Sequence, residues 1–337
     1  HRAVRNEVGL FDLTSFSKFA VQGDDAGDVL DVLSAGAVNG PIGRSVYTQW
    51  LNDRGGIEAD LTVSKIAADS FWVIGGGATR RRDLATLERA VDGRNATITD
   101  VTSAYACLAL MGPNAREVLT QLTTADLSEK AFPFGTHREI DVADALVRAN
   151  RMSYVGELGW ELYVPTEFAV HVFDELRRIG AGSGLELCGY HALNSLRFEK
   201  GFRHWGHDIT PDDTPLEAGL GFTVAWDKEA AFTGRAAVET QKQQGATQRL
   251  VQVKLVQPKG SDAQLLHHNE PVYRGEDRVG YVTGGMWGHT VDAAIGMALV
   301  VRSDGNAVDA DWVKDADWSI ELPGGRVPAE VQLRSWL

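Results

Sequence analysis

Residues 16–23, FSKFAVQG, alternate so that Phe16, Lys18 and Ala20 share one face and Ser17, Phe19 and Val21 the other, the period-2 signature of a strand. Asp24 and Asp25 follow as candidate N-caps, and Val29, Leu30, Val32 and Leu33 form the apolar stripe of a helix. The same order recurs downstream. LTVSKI and FWVIGGG, within residues 61–77, predict a hairpin, followed by a helix over TRRRDLATLERAV with Thr79 as its cap. CLALMG (107–112) predicts a strand running into AREVLTQL, with Pro113 as the first helical residue. WELYV (160–164) precedes Thr166 and the helix EFAVHVFDELRRI. This alternation predicts α+β layers with helices covering one sheet face.

Beyond Gly245 the pattern changes. RLVQVKL, EPVYR, RVGYVTGG, AAIGMALV, WSIEL and VPAEVQL are short strands separated by Gly, Pro, Asn and Asp turns, which reads as a small β-barrel or sandwich. QQGATQ (243–248) marks the boundary, giving a first region over 1–244 and a second over 245–337.

Composition narrows the class. At 337 residues the chain holds two domains or three. Its 33 Lys+Arg against 46 Asp+Glu give a net charge of −13, which argues against binding duplex nucleic acid but leaves room for an anionic small molecule in a local basic pocket. Cys107 and Cys188 are far apart and form no CxxC pair, so neither a disulfide framework nor a structural zinc site is expected, as suits a reducing, cytoplasmic setting. No apolar run approaches the ~20 residues of a membrane span, and no signal-peptide core is present. His1 enters charged, helix-like sequence directly, as though an upstream segment had been trimmed or cleaved.

Few segments carry recognisable chemistry. His204, His207 and Asp208 in HWGHD are spaced for a helix face, but Gly206 favours a loop whose polar groups bond a turn, and no metal is expected. His267 and His268 fall in a polar loop, and Gly75–Gly77 lack dinucleotide-binding spacing. More informative is LNDRGGIEADLTV (51–63), where a Gly-Gly turn delivers Glu58 and Asp60 onto one face of an extended segment. A carboxylate at a strand mouth is placed to handle a proton; the bland alternative is a loop with surface acids. SYVGELGWELYV (153–164) groups Tyr154, Trp160 and Tyr163 with Glu157 and Glu161. These are the aromatic walls and fixed carboxylate that a flat heterocycle requires, or else a strand with core aromatics. In YHALNSLRFEKG, Leu193, Leu196 and Phe198 anchor a helix with Arg197 and Glu199 near its end. Arg197 reads either as an anion ligand or as half of an Arg–Glu staple.

In this order the segments resemble the aminomethyltransferase (glycine-cleavage T-protein) family of tetrahydrofolate enzymes. The landmarks are AVRNEVGLFDLTSF, YTQWLNDRGGIEADLTV, LALMGPNA, SYVGELGWELYV, LNSLRFEKGFRHWGHDI, TPLEAGLGFTVAWDK and FTGRAA, and they cover essentially the whole chain. Within the family the chain looks most like the folate half of dimethylglycine and sarcosine dehydrogenases or oxidases, where an FAD-binding, amine-oxidising half precedes it. The resemblance implies two ferredoxin-like αβ units with antiparallel sheets and a C-terminal β-barrel around a central folate channel. Carried over by motif, Asp60 is the acid beside the reactive N5/N10 edge of tetrahydrofolate and Tyr47 a pocket aromatic. Tyr154 and Glu161 grip the pterin, Glu161 on its amino/N3–H edge, and Tyr163 lines the same wall. Arg197 is the folate-contacting arginine, and Trp287 an aromatic from the barrel. The anionic glutamate tail needs local positive groups, for which Arg80–Arg82 or Arg203 are the candidates, the alternative for Arg80–Arg82 being a solvated helix face.

The implied activity is capture of a one-carbon unit from a methylated amine as 5,10-methylene-tetrahydrofolate. FAD would belong only to a separate or missing oxidase half, so this chain alone is not expected to oxidise an amine. The implied partners are folate, a methylated donor and an FAD-dependent amine-oxidising domain or subunit. Alternatives are a stand-alone demethylase or glycine-cleavage aminomethyltransferase using a lipoylated carrier, and a non-catalytic folate-binding scaffold.

Overall fold

The computed structural model describes residues 1–258, 263–314 and 316–337. Along the chain come α1 (Arg2–Asn6), β1 (Val8–Asp12), β2 (Ser17–Gln22), α2 (Ala26–Leu33), β3 (Ser45–Leu51), β4 (Ile57–Ala67), β5 (Ser70–Gly75), α3 (Arg80–Val91) and β6 (Thr97–Asp100). Next are β7 (Tyr105–Met111), α4 (Ala115–Thr120), β8 (His137–Val142), β9 (Ala145–Asn150), β10 (Gly159–Pro165), α5 (Ala169–Gly180), β11 (Leu185–Cys188) and α6 (Tyr190–Glu199). α7 (Arg235–Gln244) then leads to β12 (Gln248–Leu255), β13 (Pro271–Arg274), β14 (Asp277–Gly288), β15 (Ala293–Val301), α8 (Ala310–Lys314), β16 (Trp318–Leu322) and β17 (Gly325–Gln332). These elements form two compact units. One comprises His1–Trp50, Ala59–Gly189 and Thr223–Thr233; the other comprises Leu51–Glu58, Tyr190–Phe222 and Gly234–Leu337.

The first unit holds two sheets, ordered β3-β4-β5-β2-β6 and β11-β1-β7-β10-β9-β8. Each follows the period-2 rule, with alternate residues feeding a helix-covered core. In the first sheet Phe19, Val21, Leu61, Val63, Phe71 and Val73 pack with Leu30 of α2 and Leu87 of α3. In the second, Leu108, Leu110, Ala149, Trp160 and Leu162 pack with Val118 of α4 and Leu176 of α5. The α+β class is as expected. One detail differs: β11 joins β1 in parallel, which the long chain between them permits.

The residues left over on the two sheets turn toward each other. Trp72 of β5 stands edge-on to Tyr163 of β10, ring centres 5.7 Å apart, and to Tyr105 of β7 at 4.8 Å. Ser45 Oγ on β3 donates to Asn150 Oδ1 on β9 at 2.6 Å. The facing surfaces of the two sheets therefore meet through polar and aromatic side chains, not through a third apolar core.

Two helix starts depart from expectation. Asp25 takes the N-cap position of α2 but its side chain makes no capping bond; the Asp24 and Asp25 carboxylates instead accept hydrogen bonds from the Asn95 side chain and backbone N–H. α4 begins at Ala115, with Asn114 as N-cap and Pro113 in the preceding turn, because the Asn114 N–H is drawn to the Glu7 carbonyl.

In the second unit the C-terminal strands close into a barrel ordered β12-β15-β14-β13-β16-β17, which settles barrel against sandwich. Val251, Val253, Val282, Ala298, Val300 and Ile320 fill its interior. Glycine is needed where β14 and β15 cross closely: a Cβ on Gly296 would lie 2.4 Å from the Gly284 carbonyl. The Gly-Gly turn likewise cannot carry a side chain at Gly56, whose Cβ would meet the Pro211 carbonyl at 1.9 Å. Among the described residues, no helix is long and apolar enough to cross a membrane.

Candidate functional site

The hairpin β3–β4 projects Ser45, Tyr47 and Gln49 from one strand and Asp60, Thr62 and Ser64 from the other, opposite the face that carries Trp50, Leu61 and Val63 into the core. Asp60 is half-buried, and its Oδ1 accepts a 2.9 Å hydrogen bond from Gln49 Nε2. Gln49 is fully buried, and its Oε1 accepts from Thr223 Oγ1 at 2.5 Å. Both ends of the amide are thus committed, which fixes its donor on the carboxylate and stabilises the negative charge there.

The segment that follows Thr223 is tied to the end of α2, the Ala225 N–H donating to the Ala35 carbonyl at 2.9 Å. Lys228 Nζ donates to the carbonyls of Asp31 (2.5 Å), Ser34 (2.6 Å) and Gly36 (3.1 Å), closing the C-terminal end of α2 as a cation suits it. Lys228→Met should cost about 1–3 kcal/mol by orphaning those carbonyls, read as a lower urea midpoint; an unchanged midpoint would exclude the anchor.

About 13 Å further along β4, by strand rise, the same face reaches Ser64. Ser64 Oγ lies 2.7 Å from Ser45 Oγ, whose own proton goes to Asn150. Asn150 sits directly opposite Glu161 in the β9–β10 register. Glu161 is 9% exposed, and its Oε2 accepts from Tyr163 Oη at 2.6 Å. Burial raises the Glu161 carboxyl above its ordinary range, partly offset by the Tyr163 hydroxyl and the Asn150 amide. Burial, then the adjacent Glu161 and Cys107, push the Tyr163 phenol well up, so it stays a donor. Asn150 Nδ2 lies near enough to favour the Glu161 charge, yet it is buried and closes no hydrogen bond of ordinary geometry among the described residues.

His137, also opposite Asn150 in the β8–β9 register, is 6% exposed, and its Nε2 has no hydrogen-bond partner among the described residues. Burial, aided by Arg148, lowers its pKa to about 4. Between pH 6.5 and 4 the unfolded chain therefore binds a proton that the native state does not, and stability falls as pH drops through that window. His137→Asn should flatten the slope of unfolding free energy against pH between those values; an unaltered slope would place the titration elsewhere.

Of the seven residues singled out by sequence, Tyr47 and Asp60 share one sheet face, and Glu161 and Tyr163 are bonded on the facing sheet. Tyr154 is half-buried in the loop between β9 and β10, which Arg5 ties down through the Val155 carbonyl at 2.5 Å and the Glu157 carboxylate at 2.9 Å. Arg197 and Trp287 belong to the second unit. Arg197 pairs there with Asp208 at 2.6 Å, not with Glu199, and also donates to Asn194 Oδ1 and the Phe202 carbonyl. Asp208 further accepts from the His204 N–H and Thr283 Oγ1, so the HWGHD segment serves a turn; among the described residues no acid–His–Cys group of three is placed to hold a metal. Trp287 lines a cavity of about 270 Å³ on the barrel with Lys254, Val291 and Glu330. Arg80 is paired with Asp100 at 2.7 Å, and Arg203 donates to the Ala218 and Gly201 carbonyls.

Gln49, Thr223 and Asn150 were missed by the sequence reading. The alternation through Ser45, Tyr47 and Gln49 was a usable signal for Gln49. Nothing local marks Thr223 or Asn150.

Two family models match in tandem: the GCVT N-terminal domain over residues 1–228 and the glycine cleavage T-protein C-terminal barrel domain over 248–336. The chain belongs to the glycine-cleavage T-protein family. Its fold is that of the glycine cleavage system aminomethyltransferase T from Bartonella henselae, with a TM-score of 0.86 and 28% identity over 100% of this chain and 88% of that one. Among T-protein relatives, the aminomethyltransferase of Anoxybacillus flavithermus is 34% identical over 98% of this chain and 87% of its own length. The formaldehyde-forming 4-methylaminobutanoate oxidase of Paenarthrobacter nicotinovorans is 39% identical over 99% of this chain, and mouse mitochondrial sarcosine dehydrogenase 36% identical over 99%. The chain spans only 39% and 37% of the length of these last two. The T-protein fold here is thus that of folate-dependent aminomethyl transferases.

Proposed function

We propose that this chain transfers a one-carbon unit to tetrahydrofolate from a methylated amine that an FAD-dependent amine-oxidising half or subunit has first oxidised to the iminium, giving 5,10-methylene-tetrahydrofolate, as the folate module of a dimethylglycine/sarcosine-type demethylating enzyme. The observation that carries this reading is the set of polar groups on the facing surfaces of the two sheets of the first unit, with Asp60 toward one end of a strand face and the Ser64–Ser45–Asn150–Glu161 group toward the other. Buried polar groups normally pair fully with each other; an unpartnered amide nitrogen beside a buried carboxylate is a donor–acceptor set suited to the edge of a pterin. Trp72, Tyr163 and Tyr47 supply the aromatic surface a flat ring requires.

Tetrahydrofolate, when bound, supplies the nucleophilic nitrogens that accept the carbon. Glu161 and Tyr163 hold the far edge of the ring and so fix how far it enters. Asp60, oriented by Gln49, which Thr223 holds in turn, accepts one after the other the protons that the two folate nitrogens give up as their bonds to carbon form, and hands both to the departing nitrogen of the iminium, or to the carbonyl oxygen that leaves as water when formaldehyde is the donor. No net proton stays on the enzyme. Holding donor and acceptor in register supplies several kcal/mol of the rate enhancement.

A second reading, stand-alone aminomethyl transfer, is favoured by the 87% coverage of the Anoxybacillus aminomethyltransferase. A neighbouring FAD-oxidase reading frame supports the first, and lipoyl-carrier and glycine decarboxylase genes the second. Either reading predicts that tetrahydrofolate at a hundredfold excess over Kd stabilises the chain by ~2.7 kcal/mol, measured as a rise in melting temperature. No shift at millimolar ligand would end both.

A further inference from the structure

Glu161 and Asn150 are cross-strand partners in the β9–β10 register, so their side chains leave the sheet side by side on its inner face. Asn150 is 1% exposed. Its orientation is dictated from behind: Ser45 Oγ donates to Oδ1 at 2.6 Å, and Ser45 is in turn 2.7 Å from Ser64 Oγ. With Oδ1 accepting from Ser45, the amide presents Nδ2 on the Glu161 side, near enough to favour the carboxylate charge, and among the described residues that buried nitrogen closes no hydrogen bond of ordinary geometry. Glu161 presents two acceptor oxygens, one already steadied by Tyr163 Oη. The row across the strands is therefore acceptor, acceptor, donor.

Resting on the folate reading above, we propose that Asn150 is a specificity-determining residue that donates to the 4-oxo group of the pterin while Glu161 accepts from its 2-amino and N3–H groups. The three-point edge of a 4-oxo pterin runs donor, donor, acceptor, the complement of this row. A 2,4-diaminopteridine runs donor, acceptor, donor: its N3 has no hydrogen to give Glu161, and its 4-amino group meets the Asn150 N–H head-on. Leaving a buried donor and acceptor unpaired is what makes such sites discriminate strongly. In the observed arrangement the Ser45 hydroxyl holds the amide oxygen back and turns the Asn150 N–H toward the pterin edge.

Folic acid and aminopterin differ at position 4 alone, and titration calorimetry of the intact chain with both is the test. The wild-type chain should prefer folic acid by about 10- to 100-fold. Asn150→Asp, which puts an acceptor where the donor stood, should reduce that preference at least tenfold, and Asn150→Ala should reduce it by an intermediate factor. Where Asn150→Asp does not fold, Asn150→Ala and Ser45→Ala carry the same measurement. A merely structural Asn150 would weaken both ligands alike, so an unchanged ratio in these variants overturns the proposal; if Glu161→Gln still weakens both ligands, the folate reading survives it. Failure of the wild-type chain to bind either compound ends the folate reading and the inference with it.

Discussion

Asp60→Asn is expected to slow formation of 5,10-methylene-tetrahydrofolate by roughly 10²–10⁴-fold, the usual loss when a positioned acid–base is removed, while folate affinity changes by no more than a few-fold. The asymmetry follows from the geometry. An asparagine is isosteric and its oxygen can still accept from Gln49 Nε2, so the strand face and its bonded chain to Thr223 persist. What disappears is the capacity to take a proton and the negative charge opposite a developing cation. The loss therefore falls on kcat and leaves KM nearly still, the pattern of an interaction made only in the transition state. Rapid-quench assays with tetrahydrofolate and formaldehyde, corrected for the uncatalysed reaction, provide the measurement. Turnover at the wild-type rate would remove Asp60 from the mechanism.

For Glu161→Gln the expectation is reversed in kind: folate binds ~10- to 100-fold more weakly, as befits orphaned pterin donors, yet the unliganded protein melts no lower near neutral pH. Burial raises the Glu161 carboxyl, so the native state binds its proton more readily than the unfolded chain does. Its contribution to stability consequently declines as pH rises through the range between the ordinary and the raised value, and the cost of the buried charge is fully present above it. A neutral amide removes that cost while still accepting from Tyr163 Oη. Binding by calorimetry and melting of the apo chain at pH 7.5 separate the two effects. Intact folate affinity in this variant would mean that the pterin lies elsewhere.

Much of this arrangement was legible from residue patterns. The alternation in FSKFAVQG and in WELYV gave β2 and β10 within a residue or two, because each strand has one face in an apolar core and the period of 2 is imposed on the sequence. Glu58 and Asp60 do share a face, as an extended segment requires. Helix starts were less legible: the acids before α2 had a distant competitor in Asn95, and Pro113 a distant constraint in the Glu7 carbonyl. Arg197 illustrates the same limit, since a guanidinium eleven residues from Asp208 takes that partner and not the glutamate two residues away. The supporting residues of the candidate site are the least legible of all. Asn150 matters because a register sets it against Glu161, and Thr223 because the chain returns to Gln49 across 174 positions; neither relation leaves a local trace.

That return has a bearing on how the protein is made. The stretch Thr223–Thr233 belongs to the first compact unit, although Tyr190–Phe222 before it and Gly234 onward do not. During synthesis at ~5–20 residues per second, the ribosome must deliver at least another 160 or so residues after Asp60 emerges before Thr223 follows it out. A nascent chain halted near Gly189 has both sheets complete but leaves Gln49 untethered, so an excised amino-terminal fragment is a poor stand-in for the intact polypeptide in any kinetic study.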